Sequence, residues 1–178
     1  KSEQEFLLRQ AVRFSENKSG RFLDFGAGGN INASKELQSQ IPDADFWACD
    51  ITPRPEKKYF VTYQETGLEG TFDAVVSNSV IEHLGNTVPA WRYVNRLLKP
   101  AENGQHPFCL HSFPSLIHYD LDHWGVKLDQ HICVFSKTSL HLLSSETGFR
   151  WKRTLHPWWF RWPVFVFEKV ADVSDNVS

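Results

Sequence analysis

Short apolar runs that suit buried strands alternate along this chain with longer stretches in which apolar residues recur at helical spacing. Ser2 to Asn17 places Leu7, Ala11 and Phe14 on one face. Ser2 and Glu5 stand at capping-box spacing, which predicts a helix ended by Asn17-Lys18-Ser19-Gly20. Phe22, Leu23 and Phe25 predict a first strand that runs into a glycine-rich turn. Ala33, Leu37 and Ile41 mark the next helix, closed by Pro42. Asp45 to Ile51 reads as a second strand. Tyr59 to Tyr63 reads as a short third one, in a stretch broken by Pro53 and Pro55. Phe72 to Val76 predicts a central buried strand. A helix capped by Thr87 follows, with Pro89 early and Trp91, Val94 and Leu98 on one face. His106 to His111 fits a fifth strand. Ser136 to Thr147 fits a last helix, with Leu140 and Leu143 inward and Gly148 as its C-cap. Arg150 to His156 and Trp162 to Val170 predict a closing hairpin, and Asp172 to Ser178 a polar tail.

Strands alternating with helices imply an α/β fold around a mostly parallel sheet. The 178 residues suit a single domain. A net charge of −2 gives no bulk attraction for a polyanion, so nucleic acid is not the expected partner. No apolar run is long enough to span a bilayer, and no signal-peptide pattern stands at the start. Cys49, Cys109 and Cys133 have no metal-ligand spacing and read as reduced thiols. A cytoplasmic protein is the expectation.

The candidate chemistry begins at Arg21 to Asn30. A strand, a turn containing Gly26 and Gly28, and a helix N-terminus together make a nucleotide-cofactor cradle in open α/β sheets. Asp24, just before the turn, would repel a pyrophosphate and would suit a cofactor with a cationic end. That points to S-adenosylmethionine rather than NAD. Asp50 closes the second strand, one βαβ unit later, where an acid accepts hydrogen bonds from ribose hydroxyls. Ser77, Asn78 and Ser79 emerge from the central strand at the carboxyl edge of the sheet, the edge that binds ligands.

These residues carry a resemblance. Asp24, Gly26 and Gly28 resemble motif I (D-x-G-x-G-x-G) of the class I S-adenosylmethionine-dependent methyltransferases, with Asn30 at the third glycine position. Phe72-Asp73, Val75, Ser77 and Glu82-His83 resemble the family's F-D-x-V-x-S-x-x-x-x-E-H. Leu98-Lys99-Pro100 and the run from Phe135 to Phe149 resemble its later helix endings. The resemblance covers roughly Gly20 to Val170. It implies a Rossmann-like three-layer sandwich with a seven-stranded sheet and an antiparallel C-terminal strand. It also implies S-adenosylmethionine held by Asp24, Gly26, Ala27, Gly28, Asp50, Ile51, Ser77, Asn78 and Ser79, with Gln64 and Glu65 toward the adenine. Residues 111–135 would form the acceptor loop.

Methyl transfer needs an aligned acceptor and a base, and histidine supplies one near neutral pH. The motifs place His83 and His111 as candidates. The segment from His111 to His131 mixes histidines with Asp120, Asp122 and Asp129, a composition that suits metals. It lacks a compact H-x-x-x-H element, so a polar acceptor loop without metal is expected, with His131 tying the loop down. The small-RNA 2′-O-methyltransferases carry E-V-I-E-H where this chain has Ser79-Val80-Ile81-Glu82-His83, without the first metal-binding glutamate. The reading is O-methylation of a small polar metabolite or glycan precursor. The alternatives are an RNA 2′-O-methyltransferase and a non-catalytic binding protein of the same fold. Trp158, Trp159 and Phe160 cannot all be buried by strand alternation, which predicts an apolar patch for a partner or a second subunit.

Overall fold

The computed structural model describes residues 2–28, 32–50, 60–62, 67–102, 104, 106–119 and 131–173. The strands are β1 (Arg21–Phe25), β2 (Asp45–Asp50), β3 (Phe60–Thr62), β4 (Ala74–Asn78), β5 (Phe108–Ser112), β6 (Phe149–Leu155) and β7 (Val164–Lys169). The helices are α1 (Glu3–Phe14), α2 (Asn32–Gln40), α3 (Thr87–Leu97) and α4 (Lys137–Glu146). The seven strands form one sheet in the order β3-β2-β1-β4-β5-β7-β6. β1 to β5 run parallel, and β7 enters antiparallel to both β5 and β6. This is the Rossmann-like sheet expected, with its antiparallel strand near the C-terminus.

Both faces of the sheet are covered, which is why the central strands read as unbroken apolar runs. Successive side chains point to opposite faces. Leu23, Phe25, Val75, Cys109, Phe165 and Phe167 share a buried cluster with Trp91 and Val94 of α3 and Leu140 and Leu143 of α4. Phe22, Phe46, Val76, Leu110 and Val166 share the other, with Leu7, Leu8 and Ala11 of α1 and Leu37 of α2. Burying a side chain of this size contributes about 1.5–3 kcal/mol.

Caps fix the helix ends. The Ser2 hydroxyl accepts from the Glu5 amide at 3.1 Å. Ser136 and Ser139 satisfy each other's main-chain amides at the start of α4, a capping box with serine in place of the usual acid at its third position. Lys169 is buried, and its ammonium donates to the carbonyls of Asn95 and Leu98 at 2.8 and 3.0 Å. A cation thus closes the carbonyl end of α3.

Several boundaries differ from the sequence reading, three of them near the site. Thr87 is the first helical residue rather than the cap, and Asn86 stands before it without a side-chain cap bond. The fifth strand starts at Phe108, past Pro107, which has no amide to give the ladder, and it runs on to Ser112. The fourth strand runs through Ser77 and Asn78 instead of ending at Val76, while Phe72 forms an isolated bridge with Leu98. Ile51, the Pro53–Pro55 stretch, Gln64 and Glu65, and Asp120, Asp122 and Asp129 lie outside the described residues, as does the tail from residue 174.

Candidate functional site

β1 and β2 are neighbours, with Phe25 opposite Cys49, so the turn after β1 and the acid ending β2 meet at the carboxyl edge. The amides of Gly26 and Ala27 both donate to the Cys49 carbonyl, at 2.8 and 3.0 Å. Gly26 and Gly28 hold φ of 74° and 59°. At Gly26 a Cβ would overlap the Val80 methyls, with Val80 Cγ1 only 2.8 Å away, so both the dihedral and the space demand glycine. The Gly28 amide donates to Asp50 Oδ2 at 2.8 Å.

Asp24 lies at the floor of this turn, 1% exposed, and its Oδ2 has no hydrogen-bond partner. Burial, with the neighbouring Asp50 charge adding to it, pushes the Asp24 carboxyl up to about 7. A buried, unsatisfied carboxylate is costly. A cationic group placed against it would repay that cost, and a second anion would add to it. The donor set therefore fits the ammonium end of S-adenosylmethionine and opposes a pyrophosphate.

The continuation of β4 is less open than expected. Ser77 is fully buried and its Oγ lies 2.6 Å from His111 Nδ1, its register partner on β5. His111 is fully buried too, 5.1 Å from the Trp91 ring centre and 6.2 Å from that of Phe167. Desolvation pulls its imidazole down to about 3. Both side chains belong to the core, a correction to their expected place at the rim. The reason is that the fifth strand extends past His111 and α3 covers that face. Asn78 is turned aside as well: its amide donates to Glu3 Oε2 on α1 at 3.0 Å. Ser79 has φ of 53° and its amide donates to the Ser112 carbonyl.

Beyond β4 the chain makes a short 3-10 turn, Ile81–His83. Glu82 is fully buried, neither carboxylate oxygen has a hydrogen-bond partner, and burial pushes the group up to about 7. His131 Nε2 lies 4.0 Å from Glu82 Oε1, and the His83 and His131 rings meet edge to face at 5.0 Å. The amides of Ile132 and Cys133 donate to the Glu82 carbonyl at 2.8 and 3.0 Å. The sequence points to the Glu82-His83 pair, with His83 as the candidate base, and gives His131 only a tethering part. The Glu-His pair after β4 and the histidine just before α4 were the available signals, and only the tertiary fold brings them together.

Two other features lie elsewhere. A groove of about 760 Å³ at the amino edge of the sheet is lined by Phe14, Asp73, Lys99, Phe108 and Glu168, and holds none of the residues expected to bind the cofactor or act as base. The Trp158-Trp159-Phe160 turn leaves Trp158 95% exposed and Trp159 40%, although Trp159 also packs edge-on against Phe6. No helix among the described residues is long and apolar enough to cross a membrane.

A family model described as a methyltransferase domain matches residues 2–152. Several solved structures share the fold. An S-adenosylmethionine-dependent methyltransferase from Aquifex aeolicus has a TM-score of 0.63 at 12% identity, over 95% of this chain and 90% of that one. Phosphoethanolamine N-methyltransferase 2 from Haemonchus contortus, in complex with S-adenosylmethionine, has a TM-score of 0.59 at 19% identity, over 82% of this chain and 36% of that one. Mitomycin 7-O-methyltransferase has a TM-score of 0.60 at 15% identity, over 92% and 54%. A search of curated proteins found no match.

Proposed function

The chain belongs to the class I S-adenosylmethionine-dependent methyltransferase family, and from that premise we propose that it transfers the cofactor's methyl group to an oxygen of a small polar acceptor. The observation that carries this reading is the buried, unpartnered Asp24 carboxylate beside the Gly26–Gly28 turn and Asp50. Bound at the carboxyl edge, the cofactor supplies a methyl group on a sulfonium, already activated for in-line displacement. The protein's part is to hold, align and deprotonate.

Asp24 takes the cationic end, Asp50 the ribose hydroxyls, and the main chain from Gly26 through Gly28 leaves room for close approach. Ile51 and Ser79 complete the cradle, with Ser77 and Asn78 serving through their main chain. Of the two histidines expected to act as base, the burial of His111 and its hydrogen bond to Ser77 disfavour it. The acceptor's proton is better assigned to the group formed by Glu82, His83 and His131 beyond β4. A small metabolite or glycan precursor suits the net charge of −2, which offers nothing to a polyanion. The exposed Trp158 marks a contact surface for a second copy or a partner.

Calorimetric titration with S-adenosylmethionine and with NAD tests the cofactor, with Asp24→Asn as control. Binding of the first alone, weakened in the variant, supports the reading. Tight NAD binding would reverse it. Incubation with methyl-labelled cofactor against metabolite, glycan and RNA pools tests the acceptor. Label found only in RNA would overturn the small-molecule assignment.

A further inference from the structure

We infer that Glu82, His83 and His131 form a binding site for one divalent transition-metal ion of the zinc type. Among the described residues they are the one group of three side chains whose ligand atoms all lie within 4.8 Å of one another. Ligand atoms around a tetrahedral zinc, at bond lengths of about 2.0–2.2 Å, sit roughly 3.3–3.5 Å apart. Closing on an ion therefore needs side-chain adjustments of about 1 Å and no rearrangement of the backbone.

The group has an electrostatic vacancy that an ion would fill. Glu82 is fully buried, and neither oxygen accepts a hydrogen bond. Among the described residues the nearest ion-pair candidate, His131 Nε2, stands 4.0 Å from Oε1, beyond hydrogen-bond reach. A carboxylate left in this condition is a standing cost, and a divalent charge beside it reverses the sign. The scaffold is independent of the ligand side chains. The turn Ile81–His83 presents Glu82 and His83, and the two amides of Ile132 and Cys133 on the Glu82 carbonyl hold His131 against them. Two imidazole nitrogens with one carboxylate favour zinc, or cobalt in its place, over magnesium and manganese, which prefer an oxygen shell.

Three protein ligands leave a coordination position for water or an acceptor oxygen. The group follows β4 at the carboxyl edge, the same end of the sheet as Asp24 and Asp50. An ion there would lower the pKa of a coordinated hydroxyl, and His83 would then serve as ligand rather than base. That consequence rests on the methyl-transfer reading; binding itself does not.

The test uses chelator-treated full-length protein with neither cofactor nor acceptor. Titration with Co²⁺ should give a ligand-field absorption saturating at one ion per chain, displaced by Zn²⁺ and not by Mg²⁺. Glu82→Gln and His131→Ala should each weaken Zn²⁺ binding by more than about 10-fold. Glu82→Gln keeps the shape of the residue, and near-ultraviolet circular dichroism establishes that each variant is folded. No stoichiometric ion in the wild type overturns the site. So does unchanged affinity in both folded variants, which would place the ion on other histidines. Calorimetry with S-adenosylmethionine on the same metal-free protein reads the methyltransferase assignment separately.

Discussion

The amide of Gly28 donates to the Asp50 carboxylate across 2.8 Å, tying the glycine turn after β1 to the acid that ends β2. One side chain thus serves both as the anchor of the turn and as the candidate ribose acceptor. Asp50→Ala removes both roles and should weaken S-adenosylmethionine binding by about 1–3 kcal/mol. Asp50→Asn keeps an acceptor for the Gly28 amide and should lose less. Calorimetric titration of the two variants separates them, and equal losses would mean that the anchor does not matter.

Asp24 should set opposite pH dependences for stability and for cofactor binding. Its folded pKa of about 7 lies above the ordinary 3.8. Its contribution to stability is therefore fully present below about 3.8 and is lost as pH rises through about 7, by up to ~1.4 kcal/mol per pH unit. A cationic ligand needs the ionised form, so affinity should fall below pH 7 by at most about tenfold per unit. Asp24→Asn should flatten the binding profile and make the stability profile shallower, the remaining slope coming from Glu82, which burial also raises to about 7. Urea titrations and calorimetry from pH 5 to pH 9 supply the check.

Gly26 and Gly28 should respond differently to alanine. Both have positive φ, but a Cβ at Gly26 meets Val80, whereas nothing lies within 4 Å at Gly28. Gly28→Ala should cost about 1 kcal/mol, the backbone penalty alone. Gly26→Ala should add an overpacking cost of about 1–3 kcal/mol. Denaturant midpoints measured without cofactor report the difference.

His111 should make the fold sensitive to acid. Its folded pKa of about 3 is below the ordinary 6.5, so the unfolded chain binds the proton first. The stability conferred by the neutral imidazole is full above about 6.5 and is lost as pH falls toward 3. His111→Asn keeps a partner for Ser77 but opens a cavity, and should be less stable at pH 7 by about 1–3 kcal/mol. Its deficit against wild type should shrink on acidification below pH 6.5. A constant deficit would assign the residue to packing alone.

The fold was largely legible in the chain because its signals are local. Alternation and helical spacing depend on neighbouring residues, and the apolar runs Phe22 to Phe25 and Ala74 to Val76 became central strands covered on both faces. Asp24, Gly26, Gly28 and Asp50 were legible for the same reason: a strand end, a turn needing positive φ, and an acid one βαβ unit on. The sequence by itself therefore determined the sheet, the turn and the acids around it. Tertiary structure decided which polar residues stay at the rim. Ser77 and His111 look alike from either side of a strand end, and only the register between β4 and β5, with Trp91 laid over that face, commits them to the core. It also decided the meeting of Glu82 and His83 with His131, a long-range pairing made by two main-chain hydrogen bonds that no local pattern encodes.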